Sequence, residues 1–314
     1  MGPVVGRQVP ELLQMNQIPT LQVAERQLER LRAQRALYSR AKTLLGIHMA
    51  LSAPFAVLWS VLGISWPETK IYAAVWGIGV ALLDVAFFTR QQKALKSKAA
   101  RIQEAFDCEV LGLEWRSIHV GSRPDPEDIV EWSRRADPTA KLRDWYPIGV
   151  GQLPLPLARA ICQRANCWWD AELRRRYARA SIGVVAAILA ITVITGIVGH
   201  FQVEQWILTG VAPLVPVFML GLRQSIEQNE AAARLDALRR HAEKMWSEIL
   251  ASAPDDKIKQ DARELQDEIF DHRRRNPVIF DWIYTLLRNR QEEQMNRAAA
   301  DLIEEAQTRL RLNP

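Results

Sequence analysis

The residues best suited to chemistry lie between positions 115 and 175, where tryptophan and arginine crowd together. They include Trp115, Arg116, Arg123, Trp132, Arg134, Arg135, Arg143, Trp145, Tyr146, Arg164, Trp168 and Trp169. Guanidinium forks match phosphate oxygens in pairs, and aromatic faces stack on bases. That combination suits a nucleotide ligand. The plainer reading makes the tryptophans a small core and sends the arginines to lipid headgroups, and composition by itself favours it. Catalytic constellations are missing: there is no GxxxxGK[ST] loop, GxSxG, HExxH or CxxC pair, so neither an enzyme nor a cofactor is expected. The five histidines are scattered, and Cys162 and Cys167 stand too far apart for a usual zinc knuckle, so buried thiols are expected rather than a metal site.

Three further features carry chemistry inside apolar sequence. Asp84 is an acidic residue within an otherwise apolar window. A carboxylate in hydrocarbon costs a few kcal/mol, so it must face protein or water. It either lines a pore or pairs with a basic neighbour such as Arg90. Thr192 and Thr195 lie one turn apart beside Gly196 and Gly199, a pattern that permits close helix contact and could also line a path. Pro213 and Pro216 interrupt the last apolar window, where proline removes backbone donors and bends a helix.

Those windows are the elements that must position everything else. Residues 44–66, 71–88, 180–201 and 205–222 are almost purely apolar. Each is long enough to cross a hydrocarbon core of ~30 Å as a helix, and none shows the polar stripe of a soluble amphipathic helix. The first window stands behind a polar, Arg-rich stretch and reads as a span rather than a signal peptide. Lys and Arg collect at four flanks: Arg26 to Lys42, Arg90 to Arg101, Arg174 to Arg179, and Arg223. The two short turns between windows carry only Lys70. Positive charge marks the cytoplasmic side, so both hairpins dip outward and both termini are cytoplasmic. Trp59, Trp66, Trp76 and Trp206 fall near span ends, where indoles favour the headgroup layer. Three cysteines, an odd number, fit a reducing compartment.

The expected fold is mainly α: a polytopic membrane protein with four transmembrane helices in two hairpins, long cytoplasmic helical extensions and a small cytoplasmic domain between the hairpins. Residues 1–43 form an arm, irregular over its proline-bearing first part, and an amphipathic helix suited to packing on a partner. Residues 44–89 form the first hairpin, 90–179 the middle domain, 180–222 the second hairpin and 223–314 a helical C-terminal region. Span two continues as a polar helix to about Phe106. Cys108 to Trp115 alternates loosely, as a short strand would. Asp125-Pro126 opens a helix with a capping side chain and proline at its first position. A helix from about Leu157 runs unbroken into span three. The C-terminal region reads as helices divided at Pro254 and Pro277.

The same residues carry a family resemblance. Asn16 to Pro19 with Gln22, LRAQRALYSRAK (31–42), FDCEVLGLEW (106–115), DWYP (144–147), CQRANCWWDAELRRRY (162–177) and the stretch around Phe280, Trp282, Tyr284 and Arg288 resemble the SMODS-associated four-transmembrane effectors over nearly the whole chain. The resemblance implies a pore-forming effector of bacterial cyclic-oligonucleotide antiphage signalling (CBASS). A partner nucleotidyltransferase makes the cyclic oligonucleotide, and the effector breaches the inner membrane and kills the infected cell. No ligand map comes with it. On the residues, phosphates would meet Arg143, Arg164 or Arg174, and bases would stack on Trp145, Tyr146, Trp168 or Trp169. Asp84, Thr192, Thr195, Pro213 and Pro216 are the pore or gating candidates. The expected partners are membrane lipid, further copies of the chain and the cyclic oligonucleotide, with no DNA or RNA polymer. Four helices in one chain cannot enclose a wide aqueous pore, so any channel needs several copies. The alternative is a membrane scaffold that recruits a cytoplasmic partner without forming a pore.

Overall fold

The computed structural model describes residues 16–136, 142–200 and 202–310. The proline-bearing arm before residue 16 and Phe201 lie outside the described residues. The described chain is helical, with no strand. A short turn α1 (Ile18–Leu21) precedes α2 (Glu25–Ser65), which runs 41 residues through the first apolar window. A 3-10 turn at Pro67–Thr69 leads into α3 (Lys70–Leu83). A π-helical turn at Asp84–Phe88 joins α3 to α4 (Thr89–Val110). Two small helices follow, α5 (Ser117–Val120) and α6 (Pro126–Ser133). A 3-10 turn at Ile148–Gln152 then delivers the chain to α7 (Leu155–Val198), 44 unbroken residues. After α8 (Val203–Trp206), π and 3-10 turns lead into α9 (Val215–Leu250), then α10 (Asp255–Arg275) and α11 (Asp281–Leu310).

Two helical runs, Ala74–Val110 and Leu155–Val198, are long and apolar enough to cross a membrane. Only 11% and 6% of their apolar windows are buried. A core helix of a soluble protein would hide that face, whereas here Ile71, Val75, Ile78, Leu82, Ile191, Ile194 and Ile197 stand exposed. Within the hairpins, two of the span-end tryptophans act as fasteners. Trp76 donates from Nε1 to the Leu51 carbonyl at 3.1 Å and stacks on Phe55, while Trp206 donates to the Thr192 carbonyl at 3.0 Å. Gly196 permits this second contact, because a Cβ there would overlap the Trp206 indole.

The polar helical body packs α7 along α9, α2 along α4, and α10 across α4 and α9. Its core joins Leu28 and Leu31 of α2 to Phe106, Tyr146, Leu157, Ile161, Met245, Leu265 and Ile269. Each such side chain stabilises the fold by about 1.5–3 kcal/mol on burial. The amphipathic N-terminal helix therefore packs within its own chain. The strand expected over Cys108 to Trp115 is absent. Cys108 and Val110 continue the buried face of α4, and the helix stops because Gly112 adopts φ +62°. There Leu113 N–H closes back on the Cys108 carbonyl at 2.8 Å, a Schellman ending. Arg159 Nε caps the Leu111 carbonyl at 2.8 Å. At α6 the proline stands where expected, but the Asp125 side chain makes no capping bond.

Candidate functional site

Where α2, α7 and α10 meet the loop before the 3-10 turn at Ile148–Gln152, they leave a cavity of about 290 Å³. It lies in the polar helical body at the roots of the apolar helices. Helix α7 presents Asn166, Trp169, Asp170, Leu173 and Arg174 to it, residues spaced along one helical face. Helix α2 contributes Gln34, Arg35, Tyr38 and Lys42, and α10 contributes Ile269, His272 and Arg273. The loop supplies Arg143, Asp144, Trp145 and Tyr146, and the chain leading into α11 supplies Pro277, Val278, Ile279 and Asp281.

The loop is held rigidly. Asp144 adopts φ +59°, a left-handed conformation rare for a non-glycine residue and maintained only where the surroundings enforce it. The enforcement is visible one residue on. Tyr146 N–H donates to Gln22 Oε1 at 2.7 Å, and Gln22 Nε2 returns a bond to the Tyr146 carbonyl at 3.2 Å. The Tyr146 hydroxyl donates to Asp107 at 2.7 Å and accepts from Asn166 at 3.0 Å. Its ring stacks on Phe106 and is 1% exposed, so Tyr146 is a wall of the cavity rather than a free stacking surface. Asp107 and Glu104 are themselves wholly buried and neutralised from α10. Asp107 pairs with Arg273, and Glu104 pairs with Arg263 at 2.6 Å. Gln266 donates to both carboxylates.

The cavity cations largely have internal anions. Arg174 reaches Asp170 at 3.0 Å, the Gln228 amide oxygen at 2.7 Å and the Pro277 carbonyl at 3.0 Å. Lys42 reaches Asp281 at 2.5 Å, and Ser39 donates to the same carboxylate at 3.0 Å. Burial opposes ionisation of Asp170, but Arg174 and the His272 contact at 3.1 Å outweigh it and hold the carboxyl well below its usual range. Burial pushes Lys42 and His272 down, against the pull of Asp281 and Asp170 respectively. Two buried ring nitrogens in the wall, Trp145 Nε1 and His272 Nδ1, have no hydrogen-bond partner among the described residues. Arg143 stands exposed at the rim without an acidic partner among the described residues. The cavity thus offers cations, indoles and unused polar atoms together.

Of the residues singled out from the sequence, Arg143, Trp145, Tyr146, Trp169 and Arg174 converge on this cavity. Arg164 and Trp168 do not line it, and Arg164 pairs instead with Glu243 of α9 at 3.0 Å. Sequence reasoning missed Tyr38, Lys42, Asp170, His272, Arg273 and Asp281. The Asp170/Arg174 spacing of four was a usable local signal; the others come together only through the fold. Cys162 and Cys167 are buried thiols, and burial raises Cys167 to about 12.

The candidates in the apolar helices are placed differently from one another. Asp84 opens the π turn, accepts from Thr89 Oγ1 of α4 at 2.9 Å and faces His48 Nδ1 of α2 at 3.5 Å. The His48 ring stacks on Phe88 at 5.2 Å. Thr192 and Thr195 donate back to the Ile188 and Ile191 carbonyls, both at 2.8 Å, which satisfies their hydroxyls within α7. Pro213 falls in the 3-10 turn at Ala212–Leu214, and Pro216 stands in the first turn of α9, where no intrahelical donor is lost. The last apolar window thus passes through π, 3-10 and α turns in succession, with right-handed helical backbone at each junction.

Residues 16–302 match the family described as the SMODS-associating 4TM effector domain. The chain belongs to this family. With its two long apolar helical runs, this member is a membrane protein of the effector class. A Bacillus cereus (strain VD146) protein described as a probable CBASS effector molecule is 27% identical over 292 residues, covering 87% of this chain and 94% of that one. No solved structure matches the chain.

Proposed function

We propose that this chain is a membrane effector of a CBASS-type antiphage system, triggered by a cyclic oligonucleotide that binds the cytoplasmic cavity. In this reading the four apolar windows form two hairpins in the inner membrane, with both termini inside the cell. Several copies assemble, and the bound messenger shifts them to a state that breaches the membrane. The observation that carries the proposal is the cavity itself: cations and indoles gathered at the roots of the apolar helices. Guanidinium groups suit phosphodiesters, and Trp145 and Trp169 suit bases. A ligand shifts such an equilibrium only by its differential affinity, and going from 1:99 to 99:1 takes about 5.5 kcal/mol. Sharing that requirement among several bound copies lowers the demand on each.

The test is leakage of dye from liposomes carrying the purified chain, with and without cyclic di-AMP, cyclic di-GMP and cyclic tri-AMP. One of these, or another cyclic oligonucleotide, is expected to release the dye. Folded protein that binds a messenger without leakage would leave the scaffold reading in its place.

A further inference from the structure

Residues 276–281, from the end of α10 to the first residue of α11, form a strap that bonds to α2, α4, α7 and α9, the helices that carry the chain to or from the four apolar windows. From α4, Lys96 Nζ donates to the Asn276 carbonyl at 3.1 Å. From α9, Arg234 donates to the Asn276 side chain at 2.6 Å and Gln228 donates to the Val278 carbonyl at 3.3 Å. From α7, Arg174 donates to the Pro277 carbonyl at 3.0 Å. From α2, Ser39 and Lys42 hold the Asp281 carboxylate at 3.0 and 2.5 Å. Ile279 is buried against Leu173 and Tyr177, with Phe280 packed on the same cluster. Every one of these anchors stands on the cytoplasmic flank of its apolar window.

The strap is also a wall of the cavity, and two of its anchors, Lys42 and Arg174, are cavity cations. Their anionic partners, Asp281 and Asp170, are supplied by the protein. The carboxylates therefore occupy the places that phosphates of a ligand would take. Lys42 and Arg174 are both desolvated, so each needs an anion whichever molecule provides it.

We infer that the strap is a carboxylate-held clasp opened by a phosphodiester ligand. One ligand phosphate replaces Asp281 at Lys42, which frees the strap from α2; a second takes the Arg174 guanidinium, drawing it off the Pro277 carbonyl and so freeing the strap from α7. A ligand with two phosphates separated by a sugar can engage both cations, whereas a single phosphate can engage only one. Release frees the first and third apolar helices from each other on the cytoplasmic side. This inference rests on the cavity being the messenger site.

The experiment uses the full chain in nanodiscs with cyclic di-AMP, cyclic di-GMP and cyclic tri-AMP, and inorganic phosphate as the single-anion control. Hydrogen exchange of the 276–281 amides is followed in the wild type, and messenger affinity and leakage are measured in Asp281→Asn. The bound messenger is expected to speed exchange across the strap, with phosphate leaving it unchanged. Asp281→Asn, which removes the internal competitor, is expected to bind the messenger at least about fivefold more tightly and to leak at correspondingly lower concentration. Lys42→Gln is expected to lose affinity. If no cyclic oligonucleotide binds the wild type, the messenger reading falls and this one with it. If one binds while strap protection stays constant or rises, the clasp alone is overturned. Asp281→Asn with wild-type affinity overturns it as well.

Discussion

Asp107 offers the sharpest test of how the polar helical body is held together. Its side chain is wholly buried and accepts from Tyr146, Gln266 and Arg273. Replacing it with Asn keeps the shape but leaves the Arg273 guanidinium, 11% exposed, without its anion. Breaking a buried pair from one side costs about 3–5 kcal/mol, because the surviving charge cannot reach water. Removing both charges, as in Asp107→Leu with Arg273→Met, avoids that penalty and should cost clearly less than the single change. In a thermal melt of the detergent-solubilised chain, Asp107→Asn should lower Tm by roughly 6–10 °C, at about 2 °C per kcal/mol for a chain of this size. The double variant should recover at least half of the loss. A drop of under about 1 °C, or a double variant as unstable as the sum of the two singles, would refute the view that Asp107 and Arg273 act as a compensated pair.

Other expectations are equally open to measurement. Trp145→Leu and Trp169→Leu should each weaken messenger binding by about 1–3 kcal/mol in calorimetry, the usual worth of a stacked base, while Arg164→Ala, whose partner is Glu243 outside the cavity, should leave affinity unchanged. The folded state holds His272 below its ordinary value through burial, among Asp170, Arg174 and Arg234. The unfolded chain therefore binds the extra proton first, so stability is full above about pH 6.5 and falls as pH drops below it. Asp170, held low, keeps its contribution through that window and loses it only in stronger acid. Tm should decline from pH 7.5 to 5.5 more steeply in the wild type than in His272→Gln. Single cysteines at Glu68 and Gln202 should react with an impermeant maleimide added outside spheroplasts, and one at Arg90 only after permeabilisation; Cys108, Cys162 and Cys167 are buried and give little background.

The long helices were legible because hydrocarbon demands about 20 apolar residues in a row, a pattern that needs no partner to be read. The failures lie where a residue's fate depends on distant chain. Cys108 to Trp115 has the short apolar run that suits strand and helix alike; the decision comes from α10, whose Arg263 and Gln266 engage the buried end of α4. Asp84 has Arg90 near it in sequence, but the π turn redirects it to His48, 36 residues earlier in the chain. In the cavity, Trp145 and Trp169 stood out by type alone. Lys42 and Asp281 lie 239 positions apart, and nothing local connects them. Arg164 and Trp168 could have been set aside from the sequence: at 3.6 residues per turn they fall off the α7 face that carries Asn166, Trp169, Leu173 and Arg174.

Helix α7 passes from the polar helical body to the end of its apolar window without a joint. At 1.5 Å per residue, Arg174 and Val198 are separated by about 36 Å of continuous rod. A swing of roughly 10° pivoted near Arg174 would sweep the far tip through about 6 Å, about one turn of helix. Rearrangement of one or two ångströms among side chains at the base is thereby magnified along the rod, with no flexible hinge to absorb it. In the proposed function, stiffness of this kind lets a small molecule on one side of a bilayer command the geometry of the other.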